Sequence, residues 1–214
     1  MKSVLVIGLG RFGINTINKL NELGHQVMAI DDKEENVNAV LPYVTDALIG
    51  NATNEQFLKT LGIKNFDLCI VAIGDDFQNS LQVTSLLKEM GAVHVVSRAS
   101  SDVHAKFLLR NGADQIIYPE KQLAEWTAIR YSSDHIFDYI QLDESCAIFE
   151  IETPDSWVGQ SIAELNIRRK YNLNIVGIKI GGRVMIEINP DTLLRTGDRL
   201  LVAGSINSIK KCFK

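Results

Sequence analysis

The spacing of apolar and polar residues changes period along the chain, and each change marks an element. Residues 4–7 form a continuous apolar run. The run leads into Gly8-Leu9-Gly10-Arg11-Phe12-Gly13, and apolar residues then recur at helical spacing over 14–23. This order predicts a strand, a tight turn and a helix. Residues 26–31 predict a second strand, 33–40 a helix and 47–50 a short third strand. A helix over 54–61 would be capped by Thr53 or Asn54. Residues 68–72 are apolar at every position, as in a strand covered on both faces. Helices over 77–90 and 101–110, with strands over 93–98 and 115–118, continue the alternation. Strands alternating with helices imply a Rossmann-like, doubly wound parallel sheet with right-handed crossovers.

From about residue 135 the pattern becomes short strands without long helices between them: 137–142, 147–152, 174–180, 183–186 and 199–203. Gly181-Gly182 predicts a two-residue hairpin. Ser161 with Glu164 predicts a capped short helix, and 205–213 a closing helix. The fold expected is therefore α/β over 1–134, with a small α+β lobe over 135–214. Between them, 120–132 reads as a helix carrying Leu123, Trp126 and Ile129. That helix follows the last strand of the first sheet, so its apolar face is open either to its own sheet or to a second copy of the chain.

Composition narrows the class. With 46% apolar residues and four prolines among 214, the chain reads as an ordinary globular protein. The net charge is −4. Residues 1–134 carry 12 basic against 16 acidic residues and the remainder ten of each, so no nucleic-acid partner is expected. Cys69, Cys146 and Cys212 match no metal spacing, and a reducing cytoplasm fits them best. Met1-Lys2-Ser3 run straight into the first strand, so no signal peptide is expected. No apolar run approaches the roughly 20 residues that a bilayer requires. Direct membrane insertion is thus not expected, and membrane association would come through a partner.

The glycines carry the chemistry. Gly8 permits the turn, Gly10 lets a phosphate approach the backbone, and Gly13 lets helix and strand lie close. Asp31 ends the second strand, where a carboxylate can accept both ribose hydroxyls of a nucleotide. In a doubly wound sheet ligands bind at the carboxyl ends of the strands. That rule adds the loops holding Asp32, Asn51-Ala52-Thr53, Gly74-Asp75-Asp76, Arg98 and Glu120. Arg11 lies within the phosphate turn, where a guanidinium can pair with the terminal phosphates of ATP or ADP; a diphosphate-bridged dinucleotide such as NAD has less need of it. Glu120 would oppose a bare polyphosphate unless Mg²⁺ or another cation bridged them. The rival reading is a NAD-dependent dehydrogenase. It would need a proton-transfer residue, and the four histidines have no recognisable acid partner in the sequence.

Several segments together resemble the RCK (KTN) family of cytosolic gating subunits of potassium channels and Trk/Ktr-type transporters. They are Val-Ile-Gly-Leu-Gly-Arg-Phe-Gly (6–13), Ala-Ile-Asp (29–31), Gly-Asn-Ala-Thr (50–53) and Val-Ala-Ile-Gly (71–74). Gly-Ala-Asp-Gln-Ile-Ile-Tyr-Pro-Glu (112–120) and Gly-Asp-Arg-Leu-Leu-Val-Ala-Gly (197–204) complete the set. The resemblance implies a non-enzymatic, ATP/ADP-responsive first lobe. Arg11 would meet the terminal phosphates, Asp31 the ribose and Asn51 the adenine, with Asp75, Asp76 and Arg98 lining the pocket. Glu120 would lie near the phosphate or its cation, and 120–132 would be the crossover helix that joins two first lobes into a homodimer. It implies assembly into an octameric ring on a membrane-embedded potassium transporter subunit, peripheral to the inner face of the membrane. It also implies a cyclic di-AMP groove formed by Ile162, Arg168, Lys170, Asn174, Ile175 and Pro190. Asn51 departs from the pattern, since many relatives carry Asp there.

Overall fold

A computed structural model describes residues 1–143 and 145–213. It divides into two compact units, Met1–Lys121 and Gln122–Lys214. In the first, β1 (Ser3–Ile7) lies between β2 (Gln26–Asp31) and β4 (Leu68–Val71), with β3 (Asp46–Ile49) outside β2. Next to β4 come β5 (Val95–Arg98) and β6 (Gln115–Ile117). The order β3-β2-β1-β4-β5-β6 is parallel throughout. β1 shows why such strands read as unbroken apolar runs. Val4 and Val6 join Ile17 of α1 (Arg11–Glu22) and Val37 and Val40 of α2 (Glu34–Val40). Leu5 and Ile7 face the other way, toward Leu58 of α3 (Glu55–Lys59) and Val83 and Leu87 of α4 (Phe77–Glu89). Each side chain of residues 4–7 thus has a core to enter. α5 (Asp102–Arg110) contributes Leu108 to a third cluster with Ala99 and Ala113.

The second unit is an antiparallel sheet in the order β10-β9-β11-β8-β7. Its strands are β7 (Ile136–Gln141), β8 (Ala147–Glu152), β9 (Asn174–Ile180), β10 (Arg183–Met185) and β11 (Arg199–Gly204). One face carries Tyr139, Phe149, Ile151, Ile178, Leu200 and Val202, packed with Trp157, Leu165, Leu173 and Ile209. Gly181 and Gly182 both take positive φ, 56° and 85°, as the predicted hairpin requires. Ser161 and Glu164 form the full capping box of α7 (Ile162–Leu165), and α9 (Ile206–Cys212) closes the chain.

Three details go beyond what the sequence pattern decides. Asn54, not Thr53, caps α3, its Oδ1 accepting the N–H groups of Gln56 and Phe57. α8 (Ile167–Tyr171) is a helix that the apolar pattern does not announce, because three of its five residues are basic. It is set off at both ends by asparagines in the left-handed region, Asn166 and Asn172. The apolar face of α6 (Pro119–Tyr131) is partly accounted for within the chain. Trp126 and Ile129 pack on the core of the second unit, and Leu123 stays 63% exposed.

Candidate functional site

The turn after β1 is built by steric necessity. Gly8 sits at φ 94°, a conformation that side chains rarely allow, and its N–H donates to the Ile30 carbonyl at 2.9 Å. A Cβ on Gly13 would lie 2.1 Å from the Gly8 carbonyl oxygen, so α1 can meet the turn only through glycine. At Gly10 the situation reverses: a Cβ there would meet nothing within 4 Å. Gly10 is the N-cap of α1 but supplies no side-chain acceptor, and the first turn holds no acid. The positive end of the helix therefore faces open space beside an exposed Arg11, an arrangement suited to an anion.

Loops after β1, β2, β3, β4 and β5 converge on one cleft of about 370 Å³. It gathers Gly8, Gly10, Asp31, Asp32, Asn51, Ala52, Asp75, Asp76 and Arg98 of the residues expected from sequence. Arg11, Phe12, Gly13 and Glu120 do not line it. Gly13 is buried under the turn, Arg11 stands outside on α1, and Phe12 lies beside Arg98, 5.8 Å from ring centroid to guanidinium carbon. A larger hollow, about 610 Å³, runs along one face of α4 and draws on no strand end.

The charged groups divide into committed and free. Oδ2 of Asp31 accepts the Leu9 N–H at 2.6 Å, while Oδ1 accepts the Lys33 N–H at 3.0 Å and the Asn36 amide at 2.9 Å. Asp31 thus ties β2 to the glycine turn, and about one of a carboxylate's four acceptor positions stays open. Asp76 caps α4 through both oxygens, to the Asn79 N–H at 2.9 Å and its side-chain amide at 2.7 Å. Asp75 has no ion pair or hydrogen bond among the described residues. Arg98 lies flat against Gly74, where a Cβ would come within 2.5 Å of its guanidinium. It pairs with Glu120, and its buried Nε has no partner among the described residues. A hydrogen bond from Glu120's own backbone N–H, and then Arg98, hold the Glu120 carboxyl below its ordinary range.

Lys33, Asn36 and Asn79 belong to the cleft but were not among the residues singled out from sequence. Their signal was position alone, just past a strand end. A buried staple behind the cleft was also missed. His104 Nδ1 accepts the Ser100 N–H at 3.2 Å, which leaves Nε2 to donate to Ser80 Oγ at 2.6 Å. Ser80 in turn donates to the Phe77 carbonyl, tying the start of α4 to the loop after β5. Burial pushes the His104 pKa down, in keeping with a neutral ring.

The histidines correct one expectation: His135 pairs with Glu152, and His94 lies 3.7 Å from Asp114. Strand neighbours far apart in sequence supply both acids. His94 precedes β5 and so sits at the end of the sheet opposite the cleft.

In the second unit, Ile162, Arg168, Asn174 and Ile175 line a groove of about 280 Å³. Lys170 and Pro190 do not line it, although the Pro190 carbonyl accepts the Ala163 N–H at 2.9 Å beside it.

Sheet order, glycine turn and strand-end acid together define a Rossmann-type domain followed by a small antiparallel α+β domain. The chain belongs to the TrkA family: residues 4–119 match the TrkA-N domain and 146–214 the TrkA-C domain. It is 39% identical to the Ktr system potassium uptake protein C of Bacillus subtilis over 210 residues, 98% of this chain and 95% of that protein. Over the same length and the same shares of the two chains it is 40% identical to the Ktr system potassium uptake protein A of that organism. Among solved structures, the GsuK channel bound to NAD superposes with a TM-score of 0.70 at 18% identity. That alignment covers 99% of this chain and 38% of the channel chain, and it supports the shared fold.

Proposed function

We propose that the chain is the ligand-binding regulatory subunit of a Ktr/Trk-type potassium uptake system. Residues 1–134 form the nucleotide-responsive lobe with its crossover helix, and 135–214 form a second effector lobe. Its partner is a membrane-embedded potassium transporter subunit. The chain acts as a homodimer assembling into an octameric ring, cytoplasmic and peripheral to the membrane. The observation that carries the proposal is the cleft itself, an uncapped helix start beside Gly10 with Asp31 at the next strand end. Its relatives, named as potassium uptake proteins, supply the physiological setting. Binding would act by differential affinity for two arrangements of the assembly, with no chemical step.

ATP and ADP are favoured over NAD by Arg11, an exposed cation free of ion pairs among the described residues and adjacent to the phosphate turn. Arg11→Ala is expected to weaken ATP about tenfold and ADP less, while NADH changes little, because a guanidinium–phosphate bond is worth roughly 1.5–3 kcal/mol. Calorimetric titration of the full chain checks this, and unchanged ATP and ADP affinities would end the proposal. Mg²⁺ in the same titrations tests a cation bridge at Glu120: the bridge is wrong if Glu120→Gln keeps the full cation effect. Reduction of NAD⁺ to NADH by a hydroxy acid would favour the dehydrogenase reading instead.

A second ligand, cyclic di-AMP, is supported by the groove that brings Arg168 beside Ile162, Asn174 and Ile175. Arg168 supplies a cation for phosphate, and the isoleucines supply an apolar wall for a base. Titration should show binding to the parent chain and a loss of about tenfold in Arg168→Ala, the worth of one charged hydrogen bond. Absence of heat from the parent excludes the site.

A further inference from the structure

The cleft also carries information about the base. At one edge of the sheet the strand ends run in the order β1, β2, β3. A nucleotide with its phosphates at the turn after β1 and its ribose at Asp31 after β2 therefore carries its base onto the loop after β3. This placement rests on the nucleotide reading above. Asn51 lines the cleft from that loop, and its side-chain amide is oriented without ambiguity. Its Oδ1 accepts the Thr53 N–H at 2.9 Å and the Thr53 hydroxyl at 2.8 Å. A backbone N–H can only donate, so the oxygen must face Thr53 and the NH₂ group is the edge left over. That NH₂ has no partner among the described residues. Nearby acceptors are already engaged: the Thr53 carbonyl takes the Gln82 amide at 3.0 Å, and the Asn51 carbonyl takes the Asn54 N–H at 3.0 Å. Asp75, the uncommitted carboxylate, follows β4 and so lies on the far side of β1 from β3.

We infer that Asn51 is a specificity-determining residue that offers the base a donor only. The cleft then reads a purine through its ring acceptors and takes nothing from adenine's exocyclic amine. An aspartate at this position would keep one oxygen on Thr53 and present the other as an acceptor for that amine.

Purine riboside 5′-triphosphate, which lacks the amine, is the probe. The parent chain should bind it and ATP within about threefold of each other. Asn51→Asp should favour ATP by about tenfold, since a polar group given a charged partner is selected at that scale. Asn51→Ala should weaken both ligands to the same degree and leave their ratio at the parental value. A parent chain that already prefers ATP tenfold, or an Asn51→Asp ratio equal to the parental one, overturns the assignment while leaving nucleotide binding in place. Failure of the parent to bind ATP, ADP or NADH at all removes the nucleotide reading, and this inference with it.

Discussion

Gly13→Ala is expected to lower stability by about 3 kcal/mol and to abolish nucleotide binding, because over-packing against backbone cannot be relieved by a rotamer change. The added methyl would lie 2.1 Å from the Gly8 carbonyl oxygen and 3.2 Å from its carbon. Gly8 cannot retreat easily. It is held at φ 94°, its N–H is bonded to Ile30, and its own Cβ position abuts Ala72 and Ile73. α1 must move instead, which pulls Ile17 out of the cluster it shares with Val4, Val6 and Val27. Gly10→Ala provides the contrast. Its methyl enters open space, so stability should stay within about 1 kcal/mol, the scale of exchanging a glycine N-cap for alanine. Nucleotide affinity should nevertheless fall at least about tenfold, because the methyl occupies the path by which a phosphate reaches the backbone. Thermal denaturation and ATP titration of the two variants separate the roles. Equal stability losses in both, or full ATP affinity in Gly10→Ala, would overturn the division of labour between these glycines.

Much of this was readable in the linear chain because it depends on local physics. A strand buried on both faces has to be apolar where it is covered, and residues 4–7 of β1 and all of β4 are. A turn that demands positive φ has to use glycine, and Gly8, Gly181 and Gly182 do so. A short helix beginning at Ser161 with Glu164 three residues on caps itself. What stayed hidden depends on contacts between distant residues. No spacing links His135 to Glu152, or His104 to Ser80, because the sheet and the packing of α4 on α5 create those neighbours. Glu120 read as an acid that would oppose a bare polyphosphate unless a cation bridged them; its pairing with Arg98, 22 residues away and flat on Gly74, is a contact that no local pattern announces. The bounds of α8 were not legible because its three basic residues, which read as a solvated helix end, carry no apolar period and its ends are set by the backbone of Asn166 and Asn172. The cleft residues were found by a rule about strand ends. Which of them remain free to bind a ligand is a matter of hydrogen-bond accounting that only coordinates provide.

Asp31 shows how that accounting alters an expectation, and Asp31→Ala should weaken ATP, ADP and NADH alike by on the order of 30-fold, or about 2 kcal/mol for one charged hydrogen bond. Read from sequence, its carboxylate could take both ribose hydroxyls. In the structure Leu9, Lys33 and Asn36 already fill three of about four acceptor positions, so one strong ribose bond is the expectation. The substitution also strips the Leu9 N–H of its acceptor. Leu9 is fully buried, which should cost the ligand-free chain a further 1–2 kcal/mol or so. A loss of affinity alone would therefore not tell ribose recognition from a loosened turn. The deoxynucleotides do. The parent should bind either 2′-deoxy-ATP or 3′-deoxy-ATP about tenfold more weakly than ATP, whichever lacks the bonded hydroxyl. In Asp31→Ala all three should bind within about twofold of one another, because the group that distinguished them is gone. If the variant keeps the parental preference for ATP over both deoxynucleotides, the ribose is read elsewhere, and Asp31 serves only to hold the glycine turn against β2.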